Sequence, residues 1–248
     1  MKTFLRILLV IALIIVTGFA AFYFTMNKPL PQGESGEVAD ALTEKMLNAV
    51  NITAWDSTNV VTWTFKGVHA YLWDKQNNLV EVKWDDKRVL LNLNEWEKSK
   101  AYEKESEHIG DKRGELLGTA YAYFCNDSFW LIAPFKVKEA GVTRQLVTTE
   151  TGEKTLLISY STGGVTPGDS YQWFLDENGL PTHYRMWVSI IPIGGVEATW
   201  EAWETKATGV KLPNIHKLGP LTLDMGEPKV GKALTDVGVS EDLFTEIM

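Results

Sequence analysis

The side chains that most often carry chemistry are few and scattered along this 248-residue chain. The four histidines, His69, His108, His183 and His216, stand far apart, and none forms the i, i+4 pair of a helical zinc site. His69 and His183 fall in strand-like stretches and read as structural. Cys125 is the only cysteine, which excludes an intramolecular disulfide and a cysteine-based metal centre. It lies too far along the chain to be the lipid-modified cysteine that follows a bacterial signal, and reads as a small buried hydrophobe. No phosphate-cradling GxxxxGK[ST], strand-linked GxGxxG or GxSxG nucleophile elbow occurs. Gly163-Gly164 and Gly194-Gly195 read as turns. Asp74, Asp176, Glu201 and Glu204 neighbour aromatic residues, so a glycosidase-like carboxylate pair stays open. Asp74 and Asp176 also sit at strand ends, where aspartate commonly forms turns. The reading is of a protein that is not an enzyme and takes no cofactor.

The informative constellation is aromatic. The chain has ten tryptophans, and Trp63, Phe65, Tyr71, Trp73, Trp84, Trp173 and Trp200 occupy alternating positions in strand-like segments. Indole and phenyl rings bury large areas, so this set either fills a core or lines an apolar ligand site. Stacking on sugars would need an open face, and alternation with charged residues argues against one.

These rings need elements to position them. Glu37 to Val50 has Val38, Leu42, Met46 and Ala49 at helical spacing, with Glu37 and Asp40 near the start to suit the helix dipole. From Asn59 the period changes to two: Val61, Trp63 and Phe65, then His69, Tyr71 and Trp73, then Val80, Val82 and Trp84, then Val89, Leu91 and Leu93. Such alternation between short polar turns marks antiparallel strands with one buried face. Asp111 to Asn126 reads as a second helix with Leu116, Ala120, Tyr123 and Phe124 on its packing stripe, followed by the dense apolar segment DSFWLIAPF. Strands resume at Arg144 to Glu150 and Thr155 to Ser161. A clear hairpin joins Tyr171, Trp173 and Leu175 to Tyr184, Met186 and Val188 through Glu177-Asn178-Gly179. Val196 to Ala202 and Leu221 to Met225 complete a count of eight to ten strands.

The N-terminus adds a membrane signal. Lys2 and Arg6 precede the uncharged run from Ile7 to Met26. As a helix that run would be about 30 Å long, the thickness of a bilayer core. Both cations precede the run, so the positive-inside rule sends the remainder to the extracytoplasmic (periplasmic) side. Gly18-Phe19-Ala20 offers an alternative, a cleaved signal peptide, although Ala21-Phe22-Tyr23-Phe24 would leave an apolar new terminus. The organisation expected is a signal-anchor segment at 1–26, a tether at 27–36 rich in Pro and Gly, and one domain at 37–248. A formal net charge of −8 and the lack of basic clusters exclude a nucleic-acid partner.

The helix VADALTEKMLNAV, the strand pair WTFKGVHAYLWD, the segment NDSFWLIAPF and the hairpin GDSYQWFLDENGLPTHYRMW follow one another as in the LolA-like superfamily of lipoprotein carriers, which the chain resembles in pattern over about residues 37 to 206. That resemblance implies an unclosed β-barrel whose hollow, lidded by helices, receives acyl chains. The expectation is therefore a mainly β (α+β) fold, a single curved antiparallel sheet forming a half-barrel with helices on its concave side. Its ligand would be a lipid or lipoprotein acyl chain, lined by Trp63, Phe65, Trp73, Trp84, Trp173 and Trp200, with Phe129 and Trp130 at the lid. Two rivals are a non-catalytic interaction domain of an envelope assembly and a carbohydrate-active enzyme.

Overall fold

The computed structural model describes residues 2–162 and 167–248, so the turn expected at Gly163-Gly164 lies outside the described residues. Helix α1 (Lys2–Met26) contains the apolar span Arg6–Met26, of mean hydropathy 2.7, and no described side chain of that span is buried. It is long and apolar enough to be a membrane anchor or a signal sequence.

Helix α2 (Glu37–Ala49) forms where the apolar period requires it, but its buried face is Ala39, Thr43, Met46 and Leu47. Val38, expected on that face, is 55% exposed. A short helix α3 (Ile52–Asp56) follows, its first turn capped by Asn51 Oδ1 accepting from the Ala54 N–H. A meander then runs through β1 (Val60–Phe65), β2 (His69–Asp74), β3 (Leu79–Trp84), β4 (Lys87–Asn92), β5 (Lys100–Glu103) and β6 (Ser106–His108). Helix α4 (Gly110–Ile132) crosses to the second half: β7 (Val142–Thr148), β8 (Lys154–Tyr160), β9 (Ser170–Leu175), β10 (Pro181–Trp187) and β11 (Val196–Thr199). Short strands β12 (Glu204–Thr205), β13 (Lys211–Leu212), β14 (Ile215–Leu218), β15 (Leu221–Asp224) and β16 (Lys229–Gly231) close the order.

The fold is mainly β with helices, as expected, but the expected single sheet is two. One is ordered β16-β1-β2-β3-β4-β5-β6 and the other β15-β14-β11-β10-β9-β8-β7, all antiparallel. They meet at a seam. The first half of β1 pairs with β16, while the Thr64 and Lys66 N–H groups donate to Met225 O (3.3 Å) and Asp224 O (2.7 Å) at the end of β15. One chain segment thus serves both sheets, bending at Gly226, whose φ of +66° suits a residue without a side chain. Strands β6 and β7 end their sheets, so the array is not a closed barrel.

The period-two pattern has a direct structural outcome. Val61, Trp63, Phe65, Tyr71, Val80, Val82 and Trp84 point to the inner face, where Leu116, Leu117, Ala120 and Phe124 of α4 cover them. The other sheet's inner face, with Leu156, Ile158, Trp173 and Tyr184, packs against Met46 and Leu47 of α2. The outer face of the first sheet is apolar as well. Val60, Leu72, Leu79 and Leu90 are covered by Val237, Phe244 and Ile247 of the C-terminal segment.

Residues 27–36 follow a defined path. The Lys28 N–H donates to Gly194 O (3.0 Å), and Glu34 and Leu146 on β7 exchange both backbone hydrogen bonds. The expected tether is laid along the sheet.

Candidate functional site: an aromatic interior

Antiparallel register builds the site. Trp63 sits opposite Tyr71 across β1 and β2, and their rings stack 4.6 Å apart. Trp73 meets Phe124 of α4 edge-on at 5.4 Å, and Trp84 meets Tyr123 edge-on at 5.6 Å. Phe65 completes this group, stacked at 6.4 Å from the His69 ring. In the second sheet, Trp173 lies opposite Tyr184 across β9 and β10. Trp173 and Trp200 are 4.9 Å apart, and Tyr184 is 5.0 Å from Trp173. His216 abuts Trp200 at 4.5 Å.

The structure thus places the eight lining candidates in two groups on the inner face. Trp63, Phe65, Trp73 and Trp84 belong to the first sheet and Trp173 to the second, with Trp200 immediately after β11. Phe129 and Trp130 come from the last turns of α4, because that helix runs to Ile132, past the Asn126 end read from the sequence. Phe129 packs on Tyr171 (4.7 Å) and Tyr160 (5.6 Å). Trp130 lies 5.7 Å from Tyr184 and 5.3 Å from His216, and packs against both core groups. Tyr160, Tyr171, Tyr184 and His216 belong to the same lining and are absent from the candidates read from sequence. The signal exists for the three tyrosines, since they alternate with other inward residues.

The polar atoms of these rings define the chemistry. Trp173 Nε1, Trp200 Nε1, Tyr160 OH and Tyr184 OH are buried without a hydrogen-bond partner, as are Trp63 Nε1 and Trp73 Nε1 across the interior. Each such group costs about 1–3 kcal/mol when unpaired, so native interiors seldom gather several in one place. The first four belong to one continuous set of touching rings, joined through Tyr171. Burial pushes the Tyr160 and Tyr184 phenols far above their ordinary value, so both keep their protons as donors. His216 Nδ1 is held by Thr199 O at 2.9 Å, and burial lowers the imidazole to about 4, leaving it neutral at pH 7. The surface this presents is apolar, uncharged and rich in donors.

A second cluster ties α4 to β2. Asp127, almost fully buried, accepts from Tyr71 OH at 2.5 Å and Asn126 Nδ2 at 2.8 Å, and contacts His69 Nδ1 at 2.7 Å. Burial first, then the Asp127 charge, pushes the Tyr71 phenol upward. The His69 ring stacks on Tyr123 at 4.1 Å. Asp127 lies 58 residues from His69 in the chain, so no local spacing announces the pair.

The four carboxylates weighed for a glycosidase each have local partners. Asp74 holds the Asn77 N–H and side chain, and Asp176 holds the N–H groups of Asn178 and Leu180. Glu201 pairs with Lys217 (3.0 Å) and Glu204 with Lys206 (2.6 Å). Among the described residues, no group of three or more His, Cys, Asp or Glu is placed to hold a metal ion. A cleft of about 240 Å³ opens on the outer face between Asn59, Asp74, Lys232 and Glu241, away from the aromatic lining.

No protein-family model matches the chain, and no curated protein matches it in sequence. Among solved structures it is similar to a DUF1329 family protein from Desulfovibrio piger, at 9% identity and a TM-score of 0.43. The alignment covers 86% of this chain and 100% of that one.

Proposed function

We propose that this is a membrane-anchored, LolA-like half-barrel that holds a lipid or lipoprotein acyl chain in its aromatic interior, on the extracytoplasmic side, without catalysing a reaction. The observation that carries this reading is the continuous set of inner-face rings in which Trp173 Nε1, Trp200 Nε1, Tyr160 OH and Tyr184 OH are buried without partners. An acyl chain replaces ring–ring contact with ring–methylene contact and gains about 0.8 kcal/mol per methylene moved out of water. Its ester or amide carbonyl accepts from an indole N–H or a tyrosine hydroxyl, removing part of the penalty of leaving those donors unpaired. Among the described residues no lysine or arginine is buried, so an uncharged acyl derivative suits the interior better than a free carboxylate. Trp130 and Phe129 sit on the end of α4 between the two halves, and displacement of that end opens the interior.

The test is native mass spectrometry with organic extraction of the full chain, purified from its own membrane without added lipid. A stoichiometric acyl lipid is expected, with occupancy reduced at least about tenfold in a folded Trp173→Ala variant, in line with the loss of a buried aromatic anchor. An empty protein that also refuses added fatty acid and phospholipid after delipidation would sink the proposal. The closeness of the packing favours a second reading in that event. Trp173 and Tyr184 are fully buried and Trp200 is 2% exposed, as in a filled core, which suits an interaction domain of an envelope assembly.

A further inference from the structure

Helix α1 ends at Met26, and the next two residues are fastened to one loop of the domain. The Gly194 N–H donates to Asn27 Oδ1 (2.7 Å), the Lys28 N–H donates to Gly194 O (3.0 Å), and Trp187 Nε1 donates to Lys28 O (2.8 Å). The approach is so close that only glycine fits. A Cβ on Gly194 would lie 2.3 Å from Trp187 Cδ1, and one on Gly195 would lie 2.7 Å from Lys28 Cβ. The loop so fastened, residues 188–195, reads VSIIPIGG and carries no charge. Ile190 is 71% exposed, one of the most exposed large apolar side chains outside α1.

Distances set the consequence. One residue of chain spans at most about 3.6 Å, so Gly194, bonded to the first residues after the helix, lies within about 10 Å of the end of the apolar span. The headgroup layer on each side of a bilayer core is about 5–8 Å thick. A solvent-exposed isoleucine in the same short loop as Gly194 is therefore within reach of that layer, and Trp187 beside it is the side chain type that membrane interfaces favour.

We propose that loop 188–195 is a second membrane contact, with Ile190 inserted at the headgroup boundary beside α1. The proposal rests on the reading of α1 as an anchor that stays on the protein. Two contacts, unlike one, fix the azimuth of the domain, so that the β10–β11 end of its second sheet faces the bilayer. A ligand drawn from that leaflet would meet Tyr171, which pairs with Met186 near that end, before it reached Trp173.

The experiment uses the full chain in phospholipid nanodiscs, with Cys125→Ser and one new cysteine carrying an environment-sensitive fluorophore. Ile15→Cys reports the anchor, Ile190→Cys the loop, and Lys104→Cys, on the β5–β6 turn of the other sheet, an aqueous position. Blue-shifted emission at 15 and 190, lost on adding headgroup-proximal spin-labelled lipid for 190 and unchanged for 104, is the expected result. Insertion at 15 with an aqueous signal at 190 overturns the loop contact and leaves the anchor standing. An aqueous signal at 15 overturns the anchor, and the loop contact with it.

Discussion

His216 is the residue whose environment has the sharpest consequence. An imidazole packed between Trp200 and Trp130 can be neutral or charged in the unfolded chain, but the folded protein holds it neutral down to about pH 4. Above the unfolded value of about 6.5 both states are neutral and nothing is lost. As pH falls from there to about 4, the unfolded chain takes up a proton that the native state refuses, and stability falls by up to about 3 kcal/mol. Urea unfolding at about pH 7.5 and about pH 4.5 tests this: the His216→Gln variant should lose about 2–3 kcal/mol less than the parent over that interval. Parallel losses in the two proteins would show that the titration lies elsewhere. Trp63 and Trp173 are legible as inward residues because a strand alternates strictly. The Asp127–His69–Tyr71 cluster is not, since it depends on where α4 lands on β2.

Two elements show how sequence signals compete. In α4 the pair Asp127-Ser128 and the later Pro134 suggest a break, yet the helix continues to Ile132, because Asp127 finds buried partners and Leu131 and Ile132 are in the core. The hairpin of β5 and β6 is hard to read for the opposite reason. Its sequence, KAYEKESEH from Lys100 to His108, puts only Ala101 in the core and is otherwise polar, as β6 at the edge of the sheet tolerates, and has no apolar alternation. The stretch after Lys206 is richer in Gly and Pro and less periodic, apart from the strand at Leu221 to Met225, yet its last residues cap the outer face of the first sheet. Phe244 is 1% exposed and Ile247 fully buried, and Ile247 O accepts from Asn92 Nδ2 at 2.8 Å. Phe244→Ala should therefore cost about 3–5 kcal/mol and expose Leu72 and Leu90 to a hydrophobic dye. A change below about 1 kcal/mol in chemical denaturation would mean that the cap is only loosely held.

At the scale of the whole molecule, the orders β1 to β6 and β7 to β11 are readable, because hairpins pair neighbours in sequence, whereas the pairings of β16 with β1 and β14 with β11 are not. The seam is not, since it joins β1 to the distant end of β15 through two hydrogen bonds that no local pattern encodes. A Cβ on Gly226 would lie 2.3 Å from Thr64 Oγ1, and its φ is left-handed. Gly226→Val should cost on the order of 1–3 kcal/mol and selectively speed hydrogen exchange at the Thr64 and Lys66 amides. If exchange rises evenly through β8 and β9 instead, the seam is not a separate unit. The path of residues 27–36 has a further effect. Strand β7 is a sheet edge, and an uncovered edge offers its backbone groups to any other chain. Glu34 occupies that position at Leu146, with Gly33 so close that a Cβ there would lie 2.5 Å from Leu146 O. A domain cut free at residue 37 would leave the Leu146 backbone groups unpaired at that edge, and should self-associate more readily than the full chain.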